Sequence, residues 1–374
     1  MIEVRKVKSP SELKQFIAFP NHLYKGNPYR CPPIIFDEKN TLSRSKNAAF
    51  EYCQAEYWLA YKDGKPAGRI AGIINPRANA RWGEKLLRFG WIDFIDDPEI
   101  SGKLIETVTE WAKERGMKGI HGPLGFTDMD NEGMLIEGFE QHCTLSSIYN
   151  FPYYPEHFVR MGFEKAADWV QFEFDIRPEI PDKVLRTARI AEEKFSLRTL
   201  NTGKRKDLKL YARKLFRMMN VSFDELYGFA AITEKQMDSY TKQYFSFIRP
   251  EFVSVILDSS DEVVGFGVSL PSMTKALQRC GGKLFPFGWL HLLNAVRKND
   301  TIDMYLVGVH PKYHGKGAAA IIWRDLNIAY SKFGIKKAYS NPQLEDNTKA
   351  LTIWKNFNGR QIIRRRCWIK HFQA

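Results

Sequence analysis

An apolar, β-branched run that is followed almost at once by two glycines constrains this chain more than any other feature. The run covers residues 305–309 and stops before Pro311, and Gly315 and Gly317 follow. Apolar residues then recur at steps of three and four over residues 318–333. The pattern predicts a β-strand, a glycine loop and an α-helix in succession.

A loop in this position is suited to an anion. Backbone N–H groups at the start of a helix have no intrahelical partner, and the helix dipole favours negative charge there. Gly315 and Gly317 let a phosphate approach the backbone without a Cβ in the way. Lys312 and Lys316 add positive charge at the same place. The sequence therefore predicts a phosphate-binding loop.

The spacing of the glycines separates the known kinds of phosphate loop. A nucleoside-triphosphate loop needs four residues between its glycines and then Lys-Ser/Thr, and a dinucleotide loop needs a third glycine where Ala320 stands. An ordinary strand-to-helix turn remains an alternative. The spacing resembles the acyl-CoA loop of the GNAT superfamily of N-acetyltransferases, Arg/Gln-x-x-Gly-x-Gly/Ala, with Lys312 at the Arg/Gln position.

A second stretch, residues 347–357, resembles the GNAT motif Asn-x-x-Ala-x-x-Leu-Tyr-x-x-x-Gly-Phe. Asn347, Ala350 and Ile353 fit this motif, whereas Trp354 takes the position of the tyrosine that is the family's usual general acid. The resemblance covers residues 196–370 well and 1–175 more weakly. It implies an α/β fold with a mixed sheet and an acyl-CoA, such as acetyl-CoA, as co-substrate without a metal.

The two halves of the chain share one predicted order of strands and helices, which suggests an ancient duplication. Pro178 and Pro181 mark the middle, so we predict two GNAT-like domains in tandem, 1–177 and 178–374. The first half has no glycine loop and carries Asp96-Asp97-Pro98 before its helix. Two carboxylates would repel a pyrophosphate, so this half is predicted to be degenerate and CoA to bind only in the second half.

Composition limits which classes of protein and ligand remain possible. The net charge of +13 suits an anionic ligand such as CoA and also permits nucleic acid. No run of about 18 apolar residues occurs, and the N-terminus reads as a strand and a helix start rather than a signal peptide. The five cysteines have no metal spacing and read as reduced thiols. These features lead us to expect a cytoplasmic protein without a transmembrane segment.

The resemblance also implies how the second half would bind acyl-CoA and use it. The backbone of Val307, Gly308 and Val309 would pair with the pantetheine arm, with Gly308 at a β-bulge, and a backbone N–H nearby would polarise the thioester. An amine would then attack directly, without a covalent enzyme intermediate. The predicted phosphate contacts are Lys312, His314, Gly315, Lys316, Gly317 and Ala318.

Proton transfer needs a base for the amine and an acid for the departing thiolate. Asp303, on the face of Tyr305 and Val307, is a candidate base or else a surface acid at a strand end. His310 is a proton carrier or a loop histidine, and Tyr339 is a substitute acid or a core residue. Two further residues, Asn341 and Asn347, either bind pantetheine or cap turns.

Three functions remain open. The first is an acyl-CoA-dependent N-acyltransferase, in particular an acetyltransferase, acting on a small-molecule or peptide amine. The second is an aminoacyl-tRNA-dependent transferase similar to Fem-type enzymes, and the third is a non-catalytic CoA-binding protein. A basic run at 360–370 is taken as a solvated face or a site for an acidic ligand. The apolar run 284–293, which lies inside an insertion at 271–299, is taken as a packing piece between the halves or as a lid over an acyl chain.

Overall fold

The structure is a computed structural model that describes residues 1–200, 203–245, 247–348, 351 and 358–373. The described strands are β1 Ile2–Lys6, β2 Gln54–Lys62, β3 Lys65–Ile74, β4 Leu86–Phe94, β5 Gly119–Gly122, β6 Met134–Glu137, β7 Glu164–Asp175, β8 Arg198–Thr199, β9 Val253–Leu257, β10 Val263–Pro271, β11 Thr301–Val309, β12 Lys337–Tyr339, β13 Gln343–Leu344 and β14 Arg360–His371.

The helices lie mostly between these strands. The described α-helices are α1 Pro10–Leu23, α2 Ile35–Thr41, α3 Pro76–Trp82, α4 Pro98–Glu114, α5 Tyr153–Arg160, α6 Asp182–Phe195, α7 Arg205–Leu210, α8 Ala212–Ser222, α9 Glu234–Tyr244, α10 Thr274–Cys280, α11 Gly288–Arg297 and α12 Ala318–Lys332. In the described part of the chain no helix combines the length and the apolar character that a membrane crossing requires.

All the described strands belong to one mixed sheet. Its order is β1-β2-β3-β4-β5-β14-β7-β12-β11-β10-β9-β8, with β6 beside β14 and β13 beside β7. The two outer blocks, β1–β5 and β8–β12, run in the same order from opposite edges towards the centre. Each block has one parallel pair, β4 with β5 and β11 with β12, and each pair is in register over only three residues. The duplicated order predicted from sequence is therefore present in the sheet.

The central strands are exchanged between the two blocks. β14, from the end of the chain, lies between β5 and β7, and β7 lies between β14 and β12. The cores follow the same exchange, because Trp368 of β14 packs in the core around α4 while Phe174 of β7 packs in the core around α12. The predicted division at 177/178 falls in the connection between β7 and α6.

Ordinary capping and burial explain the principal helices. Ser9 and Thr233 make capping boxes with Glu12 and Gln236 at the starts of α1 and α9. In α12 the buried positions follow the predicted spacing of three and four residues, and they pack with α6 against the sheet. The strand, glycine loop and helix predicted for 305–333 are therefore found.

One sequence interpretation of the C-terminal strand needs correction. The basic run at 360–370 is not a free face, because Arg364 and Arg366 bind the buried Asp168 of β7 at 3.1 and 2.8 Å. Arg365 is fully buried and donates to Gln171 and to a backbone carbonyl. Because side chains alternate between the two faces of β14, Arg364 and Arg366 reach Asp168 on one face, whereas Arg365 is buried on the other.

Candidate active site

A slot opens in the sheet between β11 and β12. The two strands are in register at Thr301, Ile302 and Asp303 only, so β11 from Met304 onwards has no strand partner on that side among the described residues. Unpaired N–H and C=O groups on such an edge can pair with an extended ligand as an added strand would. The slot runs directly into the loop that follows Val309.

The divergence of β12 has a local cause. Ser340, the residue after β12, donates its N–H to the carbonyl of Phe172 at 2.8 Å and accepts the N–H of Phe172 on its Oγ at 2.9 Å. Gln171 donates its side-chain amide to the Ser340 carbonyl at 2.8 Å. These three bonds fix the end of β12 to β7, so β12 leaves β11. Nothing in the sequence near Ser340 indicates this role.

The β-bulge of β11 lies at Tyr305, not at the predicted Gly308. The register with β10 shifts so that Met304 pairs with Ser269 and Leu306 with Val268, which leaves Tyr305 as the extra residue. Gly308 pairs with β10 in regular register. A glycine is required at this position for steric reasons, because a Cβ there would lie 2.8 Å from the Ser222 hydroxyl and 3.0 Å from the Phe266 ring.

The bulge also changes which side chains share a face. Val309 packs in the core around α12, and Val307 is on the same face by alternation. Leu306 packs instead in the core around α8 and α9, which lies on the other face of the sheet. Tyr305 has Asp303 and Tyr244 of α9 among its electrostatic neighbours. Asp303 therefore shares a face with Tyr305 as predicted, but not with Val307.

The glycine loop presents a row of free donors. Gly315 and Gly317 have φ angles of +75° and +85°, and Gly317 is the N-cap of α12. Within the described part of the chain, the N–H groups of Gly315, Gly317, Ala318 and Ala319 have no protein acceptor, whereas that of Lys316 donates to Tyr313. Four free N–H groups at the start of a 15-residue helix are a suitable cradle for a phosphate.

Side chains around the loop complete its electrostatics. Lys312 and Lys316 have no carboxylate partner among the described residues, and the Lys316 ammonium lies over the rings of Tyr313 and Phe195 at 5.0 and 5.5 Å. His314 Nε2 lies 3.0 Å from the carbonyl oxygen of Val309, so this ring supports the start of the loop. The two lysines are thus available to an anion.

Asp303 is a buried carboxylate with an unused oxygen. It is 2% exposed, and its Oδ1 has no hydrogen-bond partner. Burial raises its pKa to about 7, against a hydrogen bond with Ser272 that lowers it. The alternative of a surface acid at a strand end is therefore wrong. A carboxylate in this state is suited to accept a proton near neutral pH.

Tyr339 and His310 are occupied in other ways. Tyr339 lies beside Asp303 in the β11–β12 register, and burial together with Glu173, its hydrogen-bonded neighbour on β7, raises the pKa of its phenol. His310 accepts the N–H of Lys312 on Nδ1 at 3.2 Å, and burial and Lys312 lower the pKa of its imidazole. His310 is therefore less suited than Asp303 to take a proton from an amine, and the raised pKa of its phenol makes Tyr339 a weaker acid for the departing thiolate.

The remaining predicted contacts are partly settled. Asn341 accepts the Gln343 amide on Oδ1 at 3.3 Å and gives its carbonyl to the Ser340 hydroxyl at 2.9 Å, which is a turn-capping arrangement. The backbone of Asn347 bonds to Leu344 and Leu351. The motif positions Ala350, Ile353 and Trp354 lie outside the described residues.

The corresponding place in the first half is filled by acids. Asp97 is the N-cap of α4, accepts the N–H of Glu99 at 2.9 Å and pairs with Lys62 at 2.6 Å. Asp96 lies 3.2 Å from the Nε2 of the buried His157. A carboxylate from the chain itself therefore sits where α12 has free N–H groups.

The chain is similar in sequence to two known bacterial proteins over most of its length. No protein-family model matches the chain. The chain is 29% identical over 356 residues to protein YghO of Escherichia coli, which spans 92% of this chain and 89% of that protein. It is 26% identical, over an alignment of 376 positions, to a Caulobacter vibrioides protein named bacterial ceramide synthase, with 96% and 94% of the two chains covered.

Solved structures match the full length of the fold. A tandem GNAT protein from the clavulanic acid biosynthesis pathway superposes with a TM-score of 0.57 at 12% identity, covering 100% of this chain and 99% of the other. A GCN5-related N-acetyltransferase from Sphaerobacter thermophilus gives 0.55 at 13% identity, covering 100% and 96%. These matches cover the whole chain and show that it has the tandem GNAT fold.

Proposed function

We propose that this protein is an acyl-CoA-dependent N-acyltransferase whose second half, 178–374, binds the acyl-CoA. The observation that carries the proposal is that two sets of unpaired backbone groups, one on β11 and one in the glycine loop, lie next to each other in the chain. The open edge of β11 can pair with an extended pantetheine arm, and it leads into the free N–H groups of Gly315, Gly317, Ala318 and Ala319, which suit a pyrophosphate.

The residues around the slot divide the chemistry between them. Lys312 and Lys316 add positive charge to the phosphate cradle, and a backbone N–H at the Tyr305 bulge would polarise the thioester carbonyl. Asp303 takes a proton from the attacking amine as the C–N bond forms and the C–S bond breaks. Tyr339 is hydrogen-bonded to Glu173 and so does not protonate the departing thiolate. The thiolate therefore leaves unprotonated or takes a proton from water.

The first half contributes to the acceptor side of the site. Cys31 and Asp37, both from the first half, are electrostatic neighbours of Tyr305, and Tyr305 lines a cavity of about 180 Å³ whose other lining residues come mainly from the first half. We propose that the acceptor amine enters from this side. One relative is named bacterial ceramide synthase, and a ceramide is an amide of a long-chain amino alcohol, so long-chain amino alcohols belong in the first panel of acceptors.

Binding stoichiometry provides the first test. Calorimetric titration with CoA is expected to give one site per chain, because the carboxylate of Asp97 and the ring of Pro98 occupy the first-half helix start, where α12 has free N–H groups. Two sites per chain would contradict the reading of the first half. Absence of CoA binding, together with salt-dependent binding of aminoacyl-tRNA, would favour the Fem-like alternative. CoA binding without turnover on any amine would favour a non-catalytic protein.

The rate should depend on pH through Asp303. The base is active when deprotonated and its pKa is about 7, so kcat/KM should fall about tenfold per pH unit below 7 and level off above it. The measurement needs an acceptor amine that is already neutral over this range, so that only the enzyme titrates. A flat profile between pH 5 and 8, within the range in which a group with this pKa changes charge, would rule out Asp303 as the base.

A further inference from the structure

Five large apolar side chains are exposed together on the insertion that carries α10 and α11. Phe285, Phe287 and Trp289 are 81%, 70% and 46% exposed, and Leu290 and Leu293 are also exposed. We call these five residues the aromatic patch. They lie within nine residues of sequence, whereas the other exposed large apolar residues are spread along the chain. The sequence allows this insertion to be a packing piece between the halves or a lid, and packing between the halves does not account for the exposed patch.

The insertion is anchored, so the exposure of the patch is a property of the folded state. Leu277, Leu292 and Met273 are buried in a core cluster shared with Tyr24 and Cys31 of the first half. The turn before α11 is tight, since a Cβ on Gly288 would lie 1.8 Å from the carbonyl oxygen of Lys283. Trp289 Nε1 donates to the Pro286 carbonyl at 3.0 Å. The rings are therefore presented outwards by a segment that is packed on its other side.

The surroundings of the patch are basic. Residues 263–299 contain no acidic residue. The exposed cations of the insertion are Lys275, Arg279, Lys283, Arg297 and Lys298, and within the described ranges none of them makes an ion pair. A second copy of this chain would bring like charges together in a two-fold contact, so charge opposes self-association through this face.

We propose that the aromatic patch is a docking surface for an anionic lipid bilayer. Exposed aromatic and leucine side chains with neighbouring lysines and arginines are the combination that binds at a membrane interface, where the rings enter the headgroup region and the cations meet anionic lipids. This surface is separate from the proposed acyl-CoA site, and vesicle binding can be measured without CoA.

Docking would also orient a second feature of the insertion. Trp289, Leu290 and Leu293 of α11 are exposed, whereas His291 on another face of α11 and Lys298 at its C-cap line a cavity of about 740 Å³. This cavity also contains Tyr339, the register neighbour of Asp303. The patch and this cavity lie on different faces of α11, so a bilayer bound to the patch would hold both in a fixed orientation.

Vesicle sedimentation tests the proposal with the full chain. The wild type is expected to bind vesicles of phosphatidylglycerol and phosphatidylcholine at least about tenfold more strongly than vesicles of phosphatidylcholine alone. The triple variant Phe285→Ser, Phe287→Ser, Trp289→Ser should lose about tenfold or more of this binding. A charge variant, Lys275→Gln, Arg279→Gln, Lys283→Gln, should lose the preference for the anionic vesicles.

Matched controls separate the patch from general surface effects. The triple variant Val159→Ser, Leu210→Ser, Ile328→Ser removes equally exposed apolar side chains from other helices and should bind as the wild type does. Each variant is checked for an unchanged melting temperature and CoA affinity. The proposal would be overturned if the wild type does not bind anionic vesicles, or if the patch variant binds them as strongly as the wild type does. The proposal would also be overturned if the wild type does not bind vesicles but forms a concentration-dependent dimer that the patch variant cannot form.

Discussion

Replacing Asp303 with asparagine is expected to lower turnover by about 10²-fold or more and to leave the affinity for CoA unchanged. The carboxylate is buried, its Oδ1 has no partner, and burial raises its pKa to about 7, so removing it removes a base that is half ionised at neutral pH. Asparagine has nearly the same shape as aspartate, so the packing around residue 303 of β11, between β10 and β12, should not change. Steady-state kinetics and CoA calorimetry measure the two quantities separately.

Asp300 offers a control for this variant on the same segment of the chain. It precedes β11, is exposed, and accepts a hydrogen bond from the Thr301 hydroxyl at 3.0 Å. Asp300→Asn should therefore leave turnover close to wild type. If Asp303→Asn retains turnover within about threefold, well short of the usual loss on removal of a base, then water or His310 takes the proton and Asp303 is a structural residue.

Gly315→Glu is expected to weaken CoA binding at least tenfold, which corresponds to about 1.4 kcal/mol or more. The substitution places a carboxylate beside the free N–H groups that would receive the pyrophosphate. No atom lies within 4 Å of a Cβ built on Gly315, so the fold should not be disturbed by a clash. Gly317 is less useful as a test, because a Cβ there would lie 2.8 Å from Ala191 of α6.

The backbone strain of this substitution needs its own control. Gly315 has a φ of +75°, a conformation that costs a non-glycine residue about 1 kcal/mol. Gly334, after the other end of α12, has a φ of +69° and equally open surroundings. Gly334→Glu should show the same fall in melting temperature without loss of CoA affinity. Equal CoA affinity in the two variants would remove the glycine loop from the proposed site.

Much of the second half could be predicted from local pattern. The β-branched run, the two glycines and the three-and-four spacing of α12 each follow from residues close together in sequence, and the structure contains the strand, loop and helix that they predict. The placement of Asp303 on β11 was equally accessible. Its burial was not, because burial depends on β10 and β12 and on side chains of the first half.

What local pattern missed depends on partners that are distant in sequence. The bulge at Tyr305 is visible only in the register with β10, so alternation alone assigned Val307 to the wrong face. The arginines of β14 looked free because their carboxylate, Asp168, is nearly 200 positions earlier. The apolar run at 284–293 was expected to pack between the halves or to form a lid, and hydropathy gave no indication that five of its large apolar side chains would be exposed.

The exchange of β7 and β14 has a consequence for how the protein is made. β14 pairs with β5 across about 250 residues of chain, with Trp368 opposite Gly122, and such distant contacts form late because the intervening loop must first be closed. β7, which fixes Ser340 and so opens the slot, is itself held by β14 along most of its length. A nascent chain therefore cannot complete the slot between β11 and β12 until β14 has been synthesised and has paired with β7, so the slot is one of the latest parts of the sheet to form.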